Sequence, residues 1–103
     1  MLSLAAKAGK TVSGETAVLN AVRSGNASLV IISTDASDNT KKKFSDKCSY
    51  YGIPHYEYGT KTGIAHVIGK EVRSTVAVTD PNLGGRIRMK LEEMSVDGKD
   101  QDK

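Results

Sequence analysis

The sequence predicts an α/β fold: a three-layer α/β/α sandwich in which helices cover both faces of one four-stranded sheet. Three observations carry that expectation. Segments of helical periodicity alternate with short β-branched runs, in the order α-β-α-β-α-β-α-β-α, and such alternation favours right-handed crossovers around a single sheet. The run Ala27–Thr34 (ASLVIIST) is continuously apolar at its centre rather than alternating, which is the pattern of a strand buried on both faces. The chain has 103 residues, enough for one core and too few for two independent ones.

Each element follows from local chemistry. Residues 2–9 (LSLAAKAG) place Leu2, Ala5 and Ala6 at helical spacing, with Gly9 as a stop. Lys10-Thr-Val12 reads as a very short strand, and Ser13 offers an N-cap oxygen to a helix that Gly25 ends. That helix shows an apolar face of Ala17, Val18, Ala21 and Val22, and Glu15 sits in its first turn, where the dipole favours an acid. After the central strand, Asp35 and Ser37–Thr40 supply turn and cap chemistry for a helix over about 39–51, with Phe44, Cys48 and Tyr51 on one side. Gly52-Ile-Pro54 closes it, and Tyr56 and Tyr58 alternate with His55 and Glu57 as a strand. Gly59-Thr60 opens a short helix with Ile64, Val67 and Ile68 inward and Gly69 at its end. Ser74–Thr79 is another β-branched strand. Asp80-Pro81 starts a last helix, in which Leu83, Ile87 and Leu91 recur every four residues. The expected domain is 1–94, with 95–103 a polar, flexible acidic tail.

Composition excludes several classes. Hydrophobic residues make up 38% of the chain and charged residues 26%, and no apolar stretch approaches the roughly 18 residues of a membrane span. The N-terminus lacks a basic-then-apolar secretory pattern, so a cytoplasmic protein is expected. One cysteine rules out an internal disulfide framework and a cysteine-based zinc cage. Residues 92–103 hold five acids and two bases, which leaves the first 91 with 13 bases and 7 acids. A basic body with an acidic tail suits a polyanionic partner, nucleic acid ahead of membrane.

The residues offer no convergent acid-base set, so neither an enzyme nor a small-molecule substrate is expected. His55 and His66 lack metal-ligand spacing, and neither a metal nor another cofactor is expected. Cys48 sits on an apolar helix face with nothing near it in sequence to lower its pKa, and reads as a packed thiol. Gly9-Lys10 and Ser13-Gly14-Glu15 look like pieces of a phosphate loop but lack its spacing. Gly14 still has two readings: a plain helix cap, or a position without a side chain where another backbone can approach free N–H groups. The segment Gly69-Lys70-Glu71-Val72-Arg73-Ser74 mixes two cations with an apolar residue, and Lys61 stands in a helix first turn against the dipole. Lys41-Lys42-Lys43 reads as a wetted helix surface. A mixed sheet, with Thr11-Val12 antiparallel to its neighbour, would bring the Ser13–Glu15 start beside Lys70–Ser74.

The run Ala8-Gly-Lys10, Ser13-Gly-Glu15, Ala21-Val-Arg23-Ser-Gly25, Leu29–Ile32, Asp35–Lys42, Gly59-Thr-Lys61, Ile68-Gly-Lys-Glu71 and Ala77-Val78 resembles the kink-turn-binding ribosomal protein family. This is the archaeal L-seven-A-e group, and the chain looks most like its bacterial YlxQ-type members. The resemblance covers residues 2 to about 91. It implies a mixed four-stranded sheet and a non-catalytic RNA-binding protein that recognises a kink-turn or similarly bent structured RNA, ribosomal RNA included; a monomer is expected, and a translation-machinery adaptor with weak RNA affinity is the alternative. It also implies contacts from Ser13, Gly14, Glu15 and Thr16, from Asn20 further along that helix, and from Lys70, Glu71, Val72, Arg73 and Ser74. Backbone contacts would come from Lys61 and Asp35, and by charge Lys10, Lys61, Lys70 and Arg73 can neutralise phosphates. Strong kink-turn binders in the family carry Gly-x-Asn/Lys-Glu/Gln at the helix start, with a lysine three residues on. Here the matching residues are Gly14, Glu15, Thr16, Ala17 and Asn20, which implies a weaker or altered base readout.

Overall fold

The computed structural model describes residues 2–69 and 72–102, with side chains described over 4–69 and 72–93. Nine elements follow one another: α1 (Leu2–Lys7), β1 (Thr11–Ser13), α2 (Glu15–Ser24), β2 (Leu29–Ile32), α3 (Asp38–Tyr51), β3 (His55–Glu57), α4 (Lys61–Ile68), β4 (Thr75–Val78) and α5 (Pro81–Asp102). The sheet runs β1-β4-β2-β3. β4 is antiparallel to both its neighbours, with Thr11 opposite Val78, Ser13 opposite Val76 and Ile32 opposite Thr75. β2 and β3 are parallel, with Val30 opposite His55. The sheet is therefore mixed, as the resemblance implied.

Both central strands, β2 and β4, are buried along their whole length, because each face of the sheet carries its own apolar layer. Val30, Ile32 and Ala77 pack under α2 and α3 against Val18, Ala21, Val22, Phe44 and Cys48. Leu29, Ile31, Val76 and Val78 pack on the other face against Ala5 of α1, Ile64 and Ile68 of α4, and Ile87 and Leu91 of α5. Alternation along each strand sends neighbouring side chains into opposite layers, so both halves of the core depend on the same eight central residues. Gly84 lets α5 lie close to the sheet: a Cβ there would stand 2.4 Å from the Ser28 hydroxyl oxygen, which itself donates to the Val78 carbonyl.

The ends of the helices follow the expected chemistry in most places. Ser37 caps α3 by accepting the Thr40 N–H, and Thr60 caps α4 by accepting the Gly63 N–H. The Asp80 carboxylate accepts the N–H groups of Asn82 and Leu83 at the start of α5. Gly25, Gly52 and Gly69 close α2, α3 and α4 in the left-handed conformation.

Several expectations are corrected. Ser13 does not cap α2: it is the last residue of β1, paired with Val76, and Gly14 takes the cap position with no side-chain bond. Ala17 is exposed, because a helix that begins at Glu15 turns Val18, Ala21 and Val22 onto the sheet and leaves Ala17 off that arc. Val67 is 40% exposed, and Ala65 fills its place in the core; Tyr51 is 41% exposed, beyond the reach of the Phe44–Cys48 stripe.

Candidate nucleic-acid interface

The topology brings four strand ends to one edge of the sheet. β1, β2 and β3 finish there, and β4 begins there, so Ser13, Ser33, Tyr58 and Ser74 mark neighbouring positions along one rim. Backbone hydrogen bonds stitch the rim together. The Gly14 N–H donates to the Thr75 carbonyl at 3.2 Å, the Ser33 N–H to Ser74 at 2.8 Å, and the Thr34 N–H to Gly59 at 2.8 Å. The Thr34 hydroxyl also donates to the Gly59 carbonyl at 2.8 Å. Segments far apart in the chain thus form one continuous, backbone-defined surface.

Helix α2 opens on this rim without a side-chain cap. Gly14 adopts φ 91 and ψ 153, a conformation open to glycine and strained for other residues. The first N–H groups of α2 therefore have neither an intrahelical acceptor nor a capping oxygen from Gly14, and they carry the partial positive charge of the helix end. Arg73 stands directly beside them: a Cβ on Gly14 would lie 3.8 Å from its Nε. The guanidinium turns back to donate to the Val72 carbonyl at 3.1 Å. Val72 itself projects into solvent, 59% exposed, which no core requires.

Asp35 and Lys61 form the other half of the rim. The Asp35 carboxylate accepts the Lys61 N–H at 2.9 Å, which ties the β2–α3 turn to the start of α4. Partial loss of water pulls the Asp35 carboxyl upward, but the Lys61 N–H, with smaller contributions from the Ser33 side chain, the Asp35 N–H and the Lys61 ammonium, together outweigh it and hold the group below its ordinary value. Asp35 is thus spent on holding the loop, and the Lys61 ammonium is kept at the rim as the cation.

The sequence-derived candidates divide clearly. Gly14, Glu15, Thr16, Asp35, Lys61, Val72, Arg73 and Ser74 gather at this edge, and Ser13 underlies it at the end of β1. Lys10 stands at the opposite end of β1, where its carbonyl accepts the Thr79 N–H. Asn20 is exposed on the outer face of α2, one turn below Thr16 and on the same face, with Arg23 a further turn on. Lys70 and Glu71 lie outside the described residues.

One residue of the edge was missed. Lys43, on α3, reaches across to the Glu15 carboxylate at the mouth of α2, while Lys41 reaches the other way to Glu57 of β3 at 3.4 Å. Lys41, Lys42 and Lys43 lie past the first turn of α3, and nothing in the sequence distinguishes them from a solvated helix surface. Two of them are used to join α3 to its neighbours.

Elsewhere, Cys48 is fully buried, and burial pushes its thiol up to about 11, in keeping with a packed core thiol. His55 is half-buried, with its ring nitrogens 3.2 Å from the Ser45 hydroxyl and 3.3 Å from the Ile53 carbonyl, a structural arrangement. Among the described residues no group of three or more His, Cys, Asp or Glu could hold a metal ion, and no helix is long and apolar enough to cross a membrane.

Helices thus cover both faces of a mixed four-stranded sheet, and the uncapped start of α2 lies beside Arg73 at its edge. Residues 1–84 match the ribosomal protein L7Ae/L30e/S12e/Gadd45 family, and the chain belongs to it. It is 42% identical over 87 residues to the RNA-binding protein YlxQ of Bacillus subtilis, covering 84% of this chain and 87% of that one. A solved structure of a protein of unknown function from Bacillus halodurans superposes with a TM-score of 0.83 at 39% identity, covering 85% of this chain and 89% of that one. The 15.5 kD RNA-binding protein of Giardia lamblia shares the fold, with a TM-score of 0.73 at 22% identity over 86% of this chain and 76% of its own.

Proposed function

We propose that this chain is a non-catalytic RNA-binding protein that grips a kink-turn, or a similarly bent structured RNA, along the rim formed by Gly14–Thr16, Asp35, Lys61 and Val72–Ser74. The observation that carries the reading is the placement of Arg73 beside the uncapped start of α2. Open amide N–H groups at a helix end donate to phosphate oxygens or base-edge acceptors, and an arginine beside them neutralises phosphate. Lys61 supplies a second cation, and exposed Val72 offers an apolar surface for a nucleobase that the bend has unstacked. Lys70 and Glu71 join the proposed interface by their position next to Val72. The name of the Bacillus subtilis relative, an RNA-binding protein, points the same way.

A rim held by backbone hydrogen bonds suits recognition of shape. A folded RNA bend presents phosphates at fixed spacing, and a rigid protein edge selects that bent form from an existing equilibrium. Thr16 and Asn20 are shorter than the amide, acid and lysine side chains of the family's strong binders, and Ala17 has no polar atom. Each missing bidentate base contact lowers discrimination by about 1–3 kcal/mol, by analogy with base readout in DNA. Affinity therefore leans on backbone and phosphate contacts.

The test is a salt titration of binding to a kink-turn RNA and to a straight duplex of matched length. The kink-turn should bind more tightly across the range. Arg73→Ala with Lys61→Ala should lower affinity and flatten the salt slope by about 0.7–0.9 for each phosphate contact removed. Equal affinity for both RNAs, vanishing at moderate salt, would refute recognition of the bend and leave an adaptor with incidental RNA affinity. An unchanged slope in the double variant would place the RNA on another face.

A further inference from the structure

We infer that Lys43 is a positioning residue of the interface, holding the Glu15 carboxylate to one side of the α2 mouth so that the open amides stay available to RNA. The inference rests on the proposed RNA-binding rim and deepens it. Glu15 is the first residue of α2 and the acidic residue of its first turn. A carboxylate there is drawn toward the free N–H groups of its own helix, because the helix end is partially positive and nothing else caps it. If Glu15 folded over those groups it would occupy the site that Gly14 leaves open and place a negative charge where phosphate must come.

The ammonium of Lys43 prevents this by pairing with the Glu15 carboxylate from α3, 28 residues along the chain. Both side chains remain about half exposed, at 47% and 51%, so the pair adds little to stability. Lys43 is the sixth residue of α3, past the first turn where that helix's own dipole acts, so its pairing with Glu15 is a contact between helices and not a feature of the α3 end. The pair acts instead on the charge and position of Glu15. It neutralises the carboxylate before RNA arrives, and it presents the free carboxylate oxygen sideways, where a base amino group can donate to it.

The test is a double-variant cycle read by affinity for the kink-turn RNA and by its salt slope. Lys43→Met should weaken binding by at least about threefold in the parent chain, as expected for residues in direct contact, and Lys43→Arg should restore it. With Glu15→Gln already in place, Lys43→Met should change affinity much less, because no anion is left to swing over the amides. The salt slope should fall by less than the 0.7–0.9 of a lost phosphate contact, and urea midpoints of all variants should stay close to the parent's. An equal loss in both backgrounds, with a flattened slope, makes Lys43 a phosphate contact and overturns the inference. No loss in either background overturns it too. A parent chain with no preference for the kink-turn over the duplex overturns the functional reading and this inference together; a preference that ignores Lys43 overturns this inference alone.

Discussion

Gly14→Ala isolates the backbone that shapes the interface. At φ 91 and ψ 153 the residue lies in a region essentially reserved for glycine. Collision is not the reason: the new Cβ would meet Arg73 at 3.8 and 3.9 Å, ordinary contact distances. The whole effect is therefore conformational, about 1–3 kcal/mol. With a urea m-value of about 1–3 kcal/mol/M for a small domain, the unfolding midpoint should fall by about 1 M. The control is Gly85→Ala. Gly85 lies exposed in α5 without a positive φ and with no atom within 4 Å of an added Cβ, so alanine there should raise stability by about 0.5–1 kcal/mol. If the Gly14 peptide instead rotates to relieve the strain, its N–H leaves the Thr75 carbonyl and the start of α2 shifts. RNA affinity then falls further than stability does. A Gly14→Ala chain with the parent's midpoint and the parent's RNA affinity, beside a Gly85→Ala chain that behaves as described, would refute the reasoning.

Three further outcomes are expected. Asp35→Asn should flatten the acid limb of the stability–pH curve. The native carboxyl sits below its ordinary value, so its contribution is present above the unfolded pKa and is lost as pH falls through the lower native one; guanidinium melts between about pH 5 and pH 2 measure it. The Cys48 thiol, buried and pushed up to about 11, should react with a disulfide reagent at neutral pH only as fast as the domain opens, and at once in denaturant. Thr75→Val should raise stability by about 1–3 kcal/mol in chemical denaturation, because the Thr75 hydroxyl is buried without a hydrogen-bond partner among the described residues and a methyl fills the same space. A fall in stability would mean that the hydroxyl has a partner.

The fold was legible wherever burial and periodicity agree. The continuous run at Leu29–Ile32 announced a strand covered twice, and it is buried at every position. Ser37 and Asp80 announced helix starts through side-chain oxygens that do cap them. The misreadings share one cause. Ala17, Val67 and Tyr51 each fit an apolar stripe in sequence, but a helix buries only the arc that its exact starting residue turns toward the sheet. One residue of phase moved Ala17 into solvent. Ser13 was misread because a strand residue and a cap residue look alike until the ladder partner, Val76, is known. The order of the strands, which brings Gly14 to Arg73, could not come from composition or spacing; the resemblance implied only that the sheet is mixed, and the order β1-β4-β2-β3 came with the structure. Lys43 escaped because its partner is 28 residues away, and a lysine run on a helix looks solvated unless the neighbouring element is in view.

The central claim is that one rim of the sheet receives the RNA, and amide chemical-shift mapping tests it most directly. Titrating kink-turn RNA into the isotope-labelled chain should perturb Gly14–Thr16, Ser33–Asp35, Gly59–Lys61 and Val72–Thr75, with Lys10 and the outer face of α5 at Arg86–Met89 little moved. Perturbations concentrated on Lys10, on α5 or on the exposed Tyr50, with Gly14 and Arg73 silent, would contradict it.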